Sequence, residues 1–218
     1  MTEKKYTNPA TIALHAGWRN AETTNSVTVP IHMTSSYQFD STDHAANLFA
    51  LSELGNIYSR IMNPTNAVFE ERIAALEGGV AALGLASGQA ASAYAIQNLC
   101  SNGDNFVASS HLYGGTYNQF KNPFSDMGIE VRFVDPSDPQ NFADATDDKT
   151  RAYYGEVLPN PSFQVFPLQE VADLGRPLGI PLIVDNTAAP LICRPFDHGA
   201  AIIIHSATKY IGGHGTSI

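Results

Sequence analysis

The sequence is poor in cysteine and in basic residues, and both shortages exclude whole classes of protein. Its 218 residues include only two cysteines, Cys100 and Cys193, which cannot form a disulfide framework and have no metal-ligand spacing, so no metal site is expected. Twelve Lys and Arg stand against 21 Asp and Glu, a net charge of −9, and nucleic-acid binding is not expected. The first residues carry no apolar stretch behind their charges, so we expect a cytoplasmic protein.

Several familiar catalytic signatures are also missing. The sequence has no Gly-x-x-x-x-Gly-Lys loop, no Gly-x-Gly-x-x-Gly fingerprint, no His-Glu-x-x-His and no Gly-x-Ser-x-Gly. The sequence therefore lacks the motifs that usually support nucleotide hydrolysis, dinucleotide binding, zinc proteolysis or a serine-hydrolase mechanism. Residues 78–103 lack any charged residue or His and are long enough to cross a bilayer. Their many Gly, Ala, Ser, Gln and Asn residues instead favour a buried strand and helix, and no membrane span is expected.

Apolar runs alternate with segments of helical periodicity through most of the chain. Helices are predicted at residues 89–99, 115–127 and 168–178, and short buried strands at residues 82–86, 105–109, 129–134, 152–157, 181–184 and 200–204. Continuous apolar strands separated by helices are typical of an α/β fold with a mostly parallel sheet covered on both faces. Such a sheet binds its ligand at the carboxyl ends of its strands.

The first 60 residues follow a different pattern, in which Thr, Ser, Asn and Pro alternate with single apolar residues. No long helix is predicted before Asn63, a good N-cap, and Pro64, which suits the first position of a helix. We expect residues 1–60 to form an extended arm that contacts a neighbouring subunit. Residues 61–218 are then expected to form one large domain.

Two predicted strand ends carry groups that could bind an anionic ligand. Ser87, Gly88 and Gln89 lie at a strand-to-helix junction, where free backbone N–H groups and a small hydroxyl bind anions, although a tight turn explains them equally well. Asp185 follows the strand at residues 181–184, where a carboxylate is usually a helix cap or a ligand-facing group. The Asn-Thr-Ala-Ala-Pro that follows is a poor helix start, which favours the ligand-facing role.

Lys209 follows the last apolar run and is the most informative residue of the chain. A partly desolvated lysine is a nucleophilic amine that can form a Schiff base, although a strand-end lysine reaching into solvent is common. Ser206 and Thr208 alternate with it and could bind a phosphate of the same ligand. The amine, the acid at Asp185 and the anion loop together meet the needs of pyridoxal phosphate. Tyr113, after the strand at residues 105–109, is placed to stack on its ring.

These motifs resemble the Cys/Met-metabolism family of pyridoxal-phosphate enzymes, of fold type I. The resemblance runs over essentially the whole chain. It includes the segments PIHMTSSY at residues 30–37, YSR at 58–60, NPT at 63–65, SGQ at 87–89, YGGT at 113–116, DNT at 185–187 and SATKY at 206–210.

The resemblance implies roles for single residues toward pyridoxal 5′-phosphate. Lys209 would bind the cofactor and carry protons, Asp185 would pair with its pyridinium, and Tyr113 would stack on the ring and assist near the leaving group. Asn160 resembles the family Asn near the ring hydroxyl, although its context EVLPNP departs from the usual small or hydroxyl residues. The implied phosphate ligands are Ser87, Gly88, Gln89, Ser206 and Thr208, with Tyr58 and Arg60 reaching the phosphate of the neighbouring subunit.

Within the family, three features favour the O-acetylhomoserine sulfhydrylase branch. They are Gln89, the segment YSRIMNPT at residues 58–65 and the segment KYIGGHG at residues 209–215. Gly115 stands where a methionine γ-lyase would have Cys, which argues against the methionine γ-lyase branch. The implied reaction exchanges the acetate of O-acetyl-L-homoserine for sulfide or a small thiol, giving homocysteine or methionine. The alternatives within the family are a cystathionine γ-synthase and a methionine or cystathionine γ-lyase. An alternative of a different class is a catalytically silent cofactor-binding fragment or partner chain.

The resemblance also implies an assembly and a domain arrangement. The protein would be a homo-oligomer, as a dimer of dimers, and residues 61–218 would be its large cofactor-binding domain. A smaller C-terminal domain, which supplies the Arg that grips the substrate carboxylate, would lie outside the 218 residues.

Overall fold

The computed structural model describes residues 6–18 and 24–218. The chain divides into two compact units, Met1–Gly84 and Leu85–Ile218. The described residues of the first unit form three helices: α1 at Pro9–His15, α2 at Thr42–Phe49 and α3 at Pro64–Glu77. Helix α1 packs against α3, and the Arg72 Nε of α3 donates a hydrogen bond to the Ala16 carbonyl at 3.0 Å.

The start of α3 confirms the prediction from Asn63 and Pro64. The Asn63 side chain accepts the Thr65 N–H at 2.9 Å, Pro64 is the first helical residue, and Gly78 ends the helix with a positive φ of 78°. Helices α1 and α2 were not predicted, and they make the first 60 residues less extended than expected. They have only 7 and 8 residues, too few for a clear helical period.

The second unit is a five-stranded parallel sheet with helices on both faces, which confirms the predicted α/β fold. The strand order is β2-β1-β3-β4-β5, and every neighbouring pair is parallel. The strands are β1 at Asn105–Ser109, β2 at Glu130–Val134, β3 at Thr150–Glu156, β4 at Leu182–Asp185 and β5 at Ile202–Ile204. The helices are α4 at Gly88–Leu99, α5 at Gly114–Gln119, α6 at Gln140–Asp144 and α7 at Leu168–Gly175.

Two predicted elements differ from those observed. The helix expected at residues 115–127 is α5 followed by a π-helical turn at Phe120–Phe124, where Pro123 interrupts the regular hydrogen bonding. The strand expected at residues 82–86 is wrong, because no strand of the described residues pairs with this segment. An apolar segment becomes a strand only when a neighbour takes up its backbone hydrogen bonds.

The sheet is buried on both faces. Tyr154 and Ile183 point to the face covered by α4 and α5, whereas Tyr153 and Leu182 point to the face covered by α6 and α7. Because side chains alternate along a strand, Glu156 and Asp185 share the α4 face with Tyr154 and Ile183. No helix within the described ranges is long and apolar enough to cross a membrane.

Candidate active site

The carboxyl ends of the strands gather most of the residues that the sequence predicted. Tyr113 follows β1, Asn160 follows β3, and Asp185 is the last residue of β4. The segment at residues 206–209, with Ser206, Thr208 and Lys209, follows β5. Because all five strands are parallel, these groups lie at one edge of the sheet.

The segment predicted to bind an anion, residues 87–89, lies at the start of α4. Ser87 is its N-cap, and its Oγ accepts the Ala90 N–H at 3.1 Å. The N–H groups of Gly88 and Gln89 are in the first turn, where they have no acceptor within the helix. A Cβ built on Gly88 would lie 2.8 Å from the Ser206 Cβ, so the loop contacts the segment after β5. The start of α4 and the backbone of Ser206 therefore lie side by side.

The Gln89 side chain has protein partners of its own. Its Nε2 donates to the Thr116 Oγ1 at 2.9 Å, and its backbone carbonyl accepts the Gln119 Nε2 at 3.1 Å. These bonds tie the start of α4 to α5. Gln89 is therefore placed to offer its backbone N–H, rather than its amide side chain, to an anion.

Asp185 ends β4 within a chain of hydrogen bonds that reaches Ser206. Its Oδ1 accepts the Thr187 N–H at 2.8 Å, and the Thr187 Oγ1 accepts the Ser206 N–H at 2.8 Å. Burial raises the pKa of Asp185, and the bonds from Thr187 and the nearby His205 oppose that rise. Asp185 is therefore an acid in a desolvated place, held by donors that favour its ionised form.

Glu156, the last residue of β3, belongs to the same site and was missed as a site residue. It is the register partner of Asp185, and 6% of its surface is exposed. Its Oε1 accepts the Tyr113 N–H at 2.8 Å, and the nearby backbone of Asn160 lowers the pKa of the carboxyl group. Burial, and then the charge of Asp185, raise the pKa of Glu156 to about 8. The signal was available, because Glu156 is the one charged residue within the predicted strand at residues 152–157, and a charged residue is rarely buried without a task.

Tyr113 and Lys209 lie on the open side of the site. Tyr113 is half exposed, and its ring covers Gly115, where an added Cβ would lie 2.5 Å from the Tyr113 Cε1. The Lys209 N–H donates to the Ser206 carbonyl at 3.0 Å in the turn after β5. Its side chain is exposed, so the partial desolvation expected from the sequence is not seen here.

Tyr58 and Arg60 lie in the first unit and form a pair there. The Arg60 guanidinium carbon lies 4.9 Å from the centroid of the Tyr58 ring, and both side chains are exposed. Tyr58 forms an antiparallel bridge with Ser36, and the Ser59 N–H donates to the Ser35 carbonyl at 2.9 Å. Two motifs that are far apart in the sequence, at residues 30–37 and 58–60, thus support each other.

Substituting Gly88→Ala should damage the anion loop. The added methyl would lie 2.8 Å from the Ser206 Cβ and 3.0 Å from its Cα, so backbone must move. We expect a loss of about 1–3 kcal/mol in the free energy of unfolding, measured with urea, and weaker binding of pyridoxal phosphate in titrations. Gly114→Ala is the matched control, because Gly114 also starts a helix but has no atom within 4 Å of an added Cβ. Equal effects of both substitutions would contradict this reading.

Comparisons with known proteins agree with this geometry. The family described as Cys/Met metabolism PLP-dependent enzyme matches residues 10–218. An O-acetyl-L-homoserine sulfhydrylase of Leptospira meyeri is 54% identical over 211 residues, covering 96% of this chain and 48% of that protein. A homocysteine/cysteine synthase of Saccharomyces cerevisiae is 50% identical, covering 95% and 48%.

A solved structure is similar over nearly the whole chain. It is described as an O-acetylhomoserine (thiol)-lyase of Campylobacter jejuni and contains N′-pyridoxyl-lysine-5′-monophosphate. The TM-score is 0.95 at 38% identity, and the match covers 98% of this chain and 52% of that one. The present chain thus spans about half the length of the relatives it matches. By these matches, the chain belongs to the Cys/Met-metabolism family of PLP-dependent enzymes.

Proposed function

We propose that the full-length protein uses pyridoxal 5′-phosphate to replace the acetate of O-acetyl-L-homoserine with sulfide or a small thiol. The products would be L-homocysteine or methionine. The observation that carries the proposal is the meeting of Lys209, Asp185 and the Gly88 loop at one edge of the sheet. Relatives named as sulfhydrylases or homocysteine synthases at 50–54% identity support the choice of reaction.

The residues at this edge fit the cofactor. The close approach of Gly88 to Ser206 leaves no room for a side chain beside the helix start, as a phosphate loop requires. Asp185 is an acid held by donors that favour its ionised form, which suits a protonated ring nitrogen. Tyr113 offers a half-exposed ring for stacking, and Asn160 follows the neighbouring strand. When bound, the cofactor supplies an electron sink that makes the protons of the amino-acid substrate acidic.

The protein's own groups then perform the proton transfers. The Lys209 amine, exposed and at the end of the turn after β5, removes the Cα proton and then a Cβ proton. The Cγ–O bond breaks, acetate leaves, and sulfide forms the new bond at Cγ. Lys209 returns the protons to Cβ and Cα. Tyr113 lies on the open side of the site, where it would assist near the leaving group.

The first unit supports a homo-oligomer, with a dimer of dimers as the proposed assembly. Val27, Ile31 and Met33 are 91%, 78% and 93% exposed, which is unfavourable for an arm that remains in water. Cover by a second subunit would remove this surface from solvent and bring Tyr58 and Arg60 toward the partner's phosphate site. We also propose that residues 1–60 form the arm and residues 61–218 the large domain. The full-length protein would have a smaller C-terminal domain and a cytoplasmic location.

A panel of products tests the proposed reaction. The full-length holoenzyme is incubated with O-acetyl-L-homoserine plus sulfide, plus methanethiol, plus cysteine, or alone, and the products are identified by mass spectrometry. We expect homocysteine with sulfide or methionine with methanethiol, each with one acetate released per product. Cystathionine as the main product, or a keto acid formed without any thiol, would replace the proposal with a synthase or a γ-lyase. A protein that binds the cofactor but releases no acetate would be a silent binder.

A further inference from the structure

Glu156 connects three parts of the site, and the proposed reaction gives it no role. It ends β3, and its carboxyl group accepts the Tyr113 N–H at 2.8 Å from the loop after β1. The backbone of Asn160, in the loop that follows β3 itself, lies near the same carboxyl group and lowers its pKa. Tyr113 and Asn160 are two of the residues that would contact the cofactor ring. A single carboxyl group therefore binds the backbone of Tyr113 and lies beside that of Asn160.

The Tyr113 backbone is held on each side of its α-carbon. Its N–H is bound by Glu156, and its carbonyl accepts the Tyr117 N–H at 3.0 Å in the first turn of α5. The ring then folds over Gly115, which leaves little freedom in that direction. Without the bond to Glu156, the residue before α5 would lose one of these restraints, and the ring could shift relative to the sheet.

We propose that Glu156 is a positioning residue that holds the Tyr113 and Asn160 loops to the end of β3, and that its reach, not its charge, performs this task. The proposal rests on the proposed function, because it is the cofactor ring that the two loops would face. A backbone N–H needs only an acceptor oxygen at the right distance, and a neutral carboxyl or an amide supplies one.

The surroundings of Glu156 favour its neutral form. Its register partner Asp185 is a second carboxyl in the same desolvated place, and two adjacent carboxylates do not both ionise easily. Asp185 has the Thr187 bond and His205 to favour its charge. The other titratable group facing the pair is Tyr154, which is fully buried and bonded to the Ser92 hydroxyl at 2.9 Å. A second negative charge on Glu156 beside Asp185 is therefore disfavoured.

Two substitutions in the full-length protein separate reach from charge. Glu156→Gln keeps the reach and an acceptor oxygen but cannot ionise, whereas Glu156→Asp keeps an ionisable carboxyl group and shortens the side chain by one methylene. We expect Glu156→Gln to keep kcat within about threefold, and Glu156→Asp to lose about 10–100-fold in kcat, because misplacement by about 1 Å is costly in a preorganised site. Hydrogen exchange of the peptides containing Tyr113 and Asn160 should be near that of the unsubstituted protein for Gln and faster for Asp.

The spectrum of the bound cofactor adds a readout that general destabilisation does not move. The visible circular dichroism of the bound cofactor should change in Glu156→Asp and be restored in Glu156→Gln. Asp147→Asn is the control, because Asp147 accepts bonds from Asn105 and Arg132 at the opposite end of β3. It should lower the unfolding midpoint without altering exchange at the two loops or the cofactor spectrum.

The outcomes are distinct. Loss of the loop protection in Glu156→Gln equal to that in Glu156→Asp overturns the claim that reach and not charge holds the loops, and no change in either variant overturns the positioning role. Failure of the unsubstituted protein to bind the cofactor overturns the proposed function instead. In that case, the exchange of the two loop peptides still tests Glu156, because it is measured without cofactor.

Discussion

Lys209→Ala in the full-length protein is expected to abolish turnover. Proton transfer by a positioned base contributes about 10²–10⁴-fold, and the same amine also forms the covalent link to the cofactor, so kcat should fall by more than about 10³-fold. The visible absorbance of the linked cofactor should disappear as well. Steady-state assays of acetate release and an absorbance spectrum of the purified protein measure both effects.

Lys121→Ala is the matched control for this substitution. Lys121 is also exposed, but its Nζ lies 5.8 Å from the Tyr117 ring centroid, in the π-helical turn that follows α5. It should keep the absorbance and the activity. Borohydride reduction followed by peptide mapping should place the reduced adduct on the peptide containing Lys209. An adduct elsewhere, or an active Lys209→Ala protein, would refute the assignment.

The strands could be predicted well because buried strands consist largely of apolar residues. The run at residues 105–109 is entirely buried in the sheet, and the predicted strands at 152–157 and 181–184 differ from β3 and β4 by one or two residues at their ends. Residues 82–86 show the limit of this argument. Their apolar character is real, but a strand also needs a partner, and composition does not report one.

The site could be located from the sequence, whereas its hydrogen bonds could not. Strand ends in a parallel sheet point to Asp185 and the segment at residues 206–209 without any knowledge of contacts. The bond from Tyr113 to Glu156 joins residues 43 apart in the chain, and that of Gln89 with Thr116 joins residues 27 apart. Such hydrogen bonds depend on the conformation of the loops at the ends of the strands. The partners of Glu156 and of the Gln89 amide therefore could not be predicted from the sequence.

Asp185→Asn is expected to separate activity from stability. The amide keeps an oxygen that can accept the Thr187 N–H, but it cannot hold a positive charge on the cofactor ring nitrogen. Loss of one preorganised electrostatic interaction costs about 3–4 kcal/mol, so kcat/KM should fall by about 10²–10³-fold. Acetate release and cofactor titration measure this loss.

The same substitution should leave the cofactor-free protein at least as stable. Burial raises the pKa of Asp185 above its unfolded value, so stability is lost as the pH rises from the unfolded pKa through the folded one. Asn removes that loss because it carries no charge. The charge of Asp185 also raises the pKa of Glu156, which is about 8 in the unsubstituted protein. Asp185→Asn should therefore lower the pKa of Glu156.

Urea unfolding between pH 6 and 8 measures these effects. In the unsubstituted protein, stability should fall as the pH rises toward 8, because the unfolded chain has already released the Glu156 proton. In Asp185→Asn, this fall should occur at lower pH. Asp173→Asn is the control, since Asp173 is a half-exposed carboxylate paired with Arg176 on the other face of the sheet, and both activity and stability should stay nearly unchanged. Loss of stability together with activity in Asp185→Asn would mean that this carboxylate supports the fold rather than the chemistry.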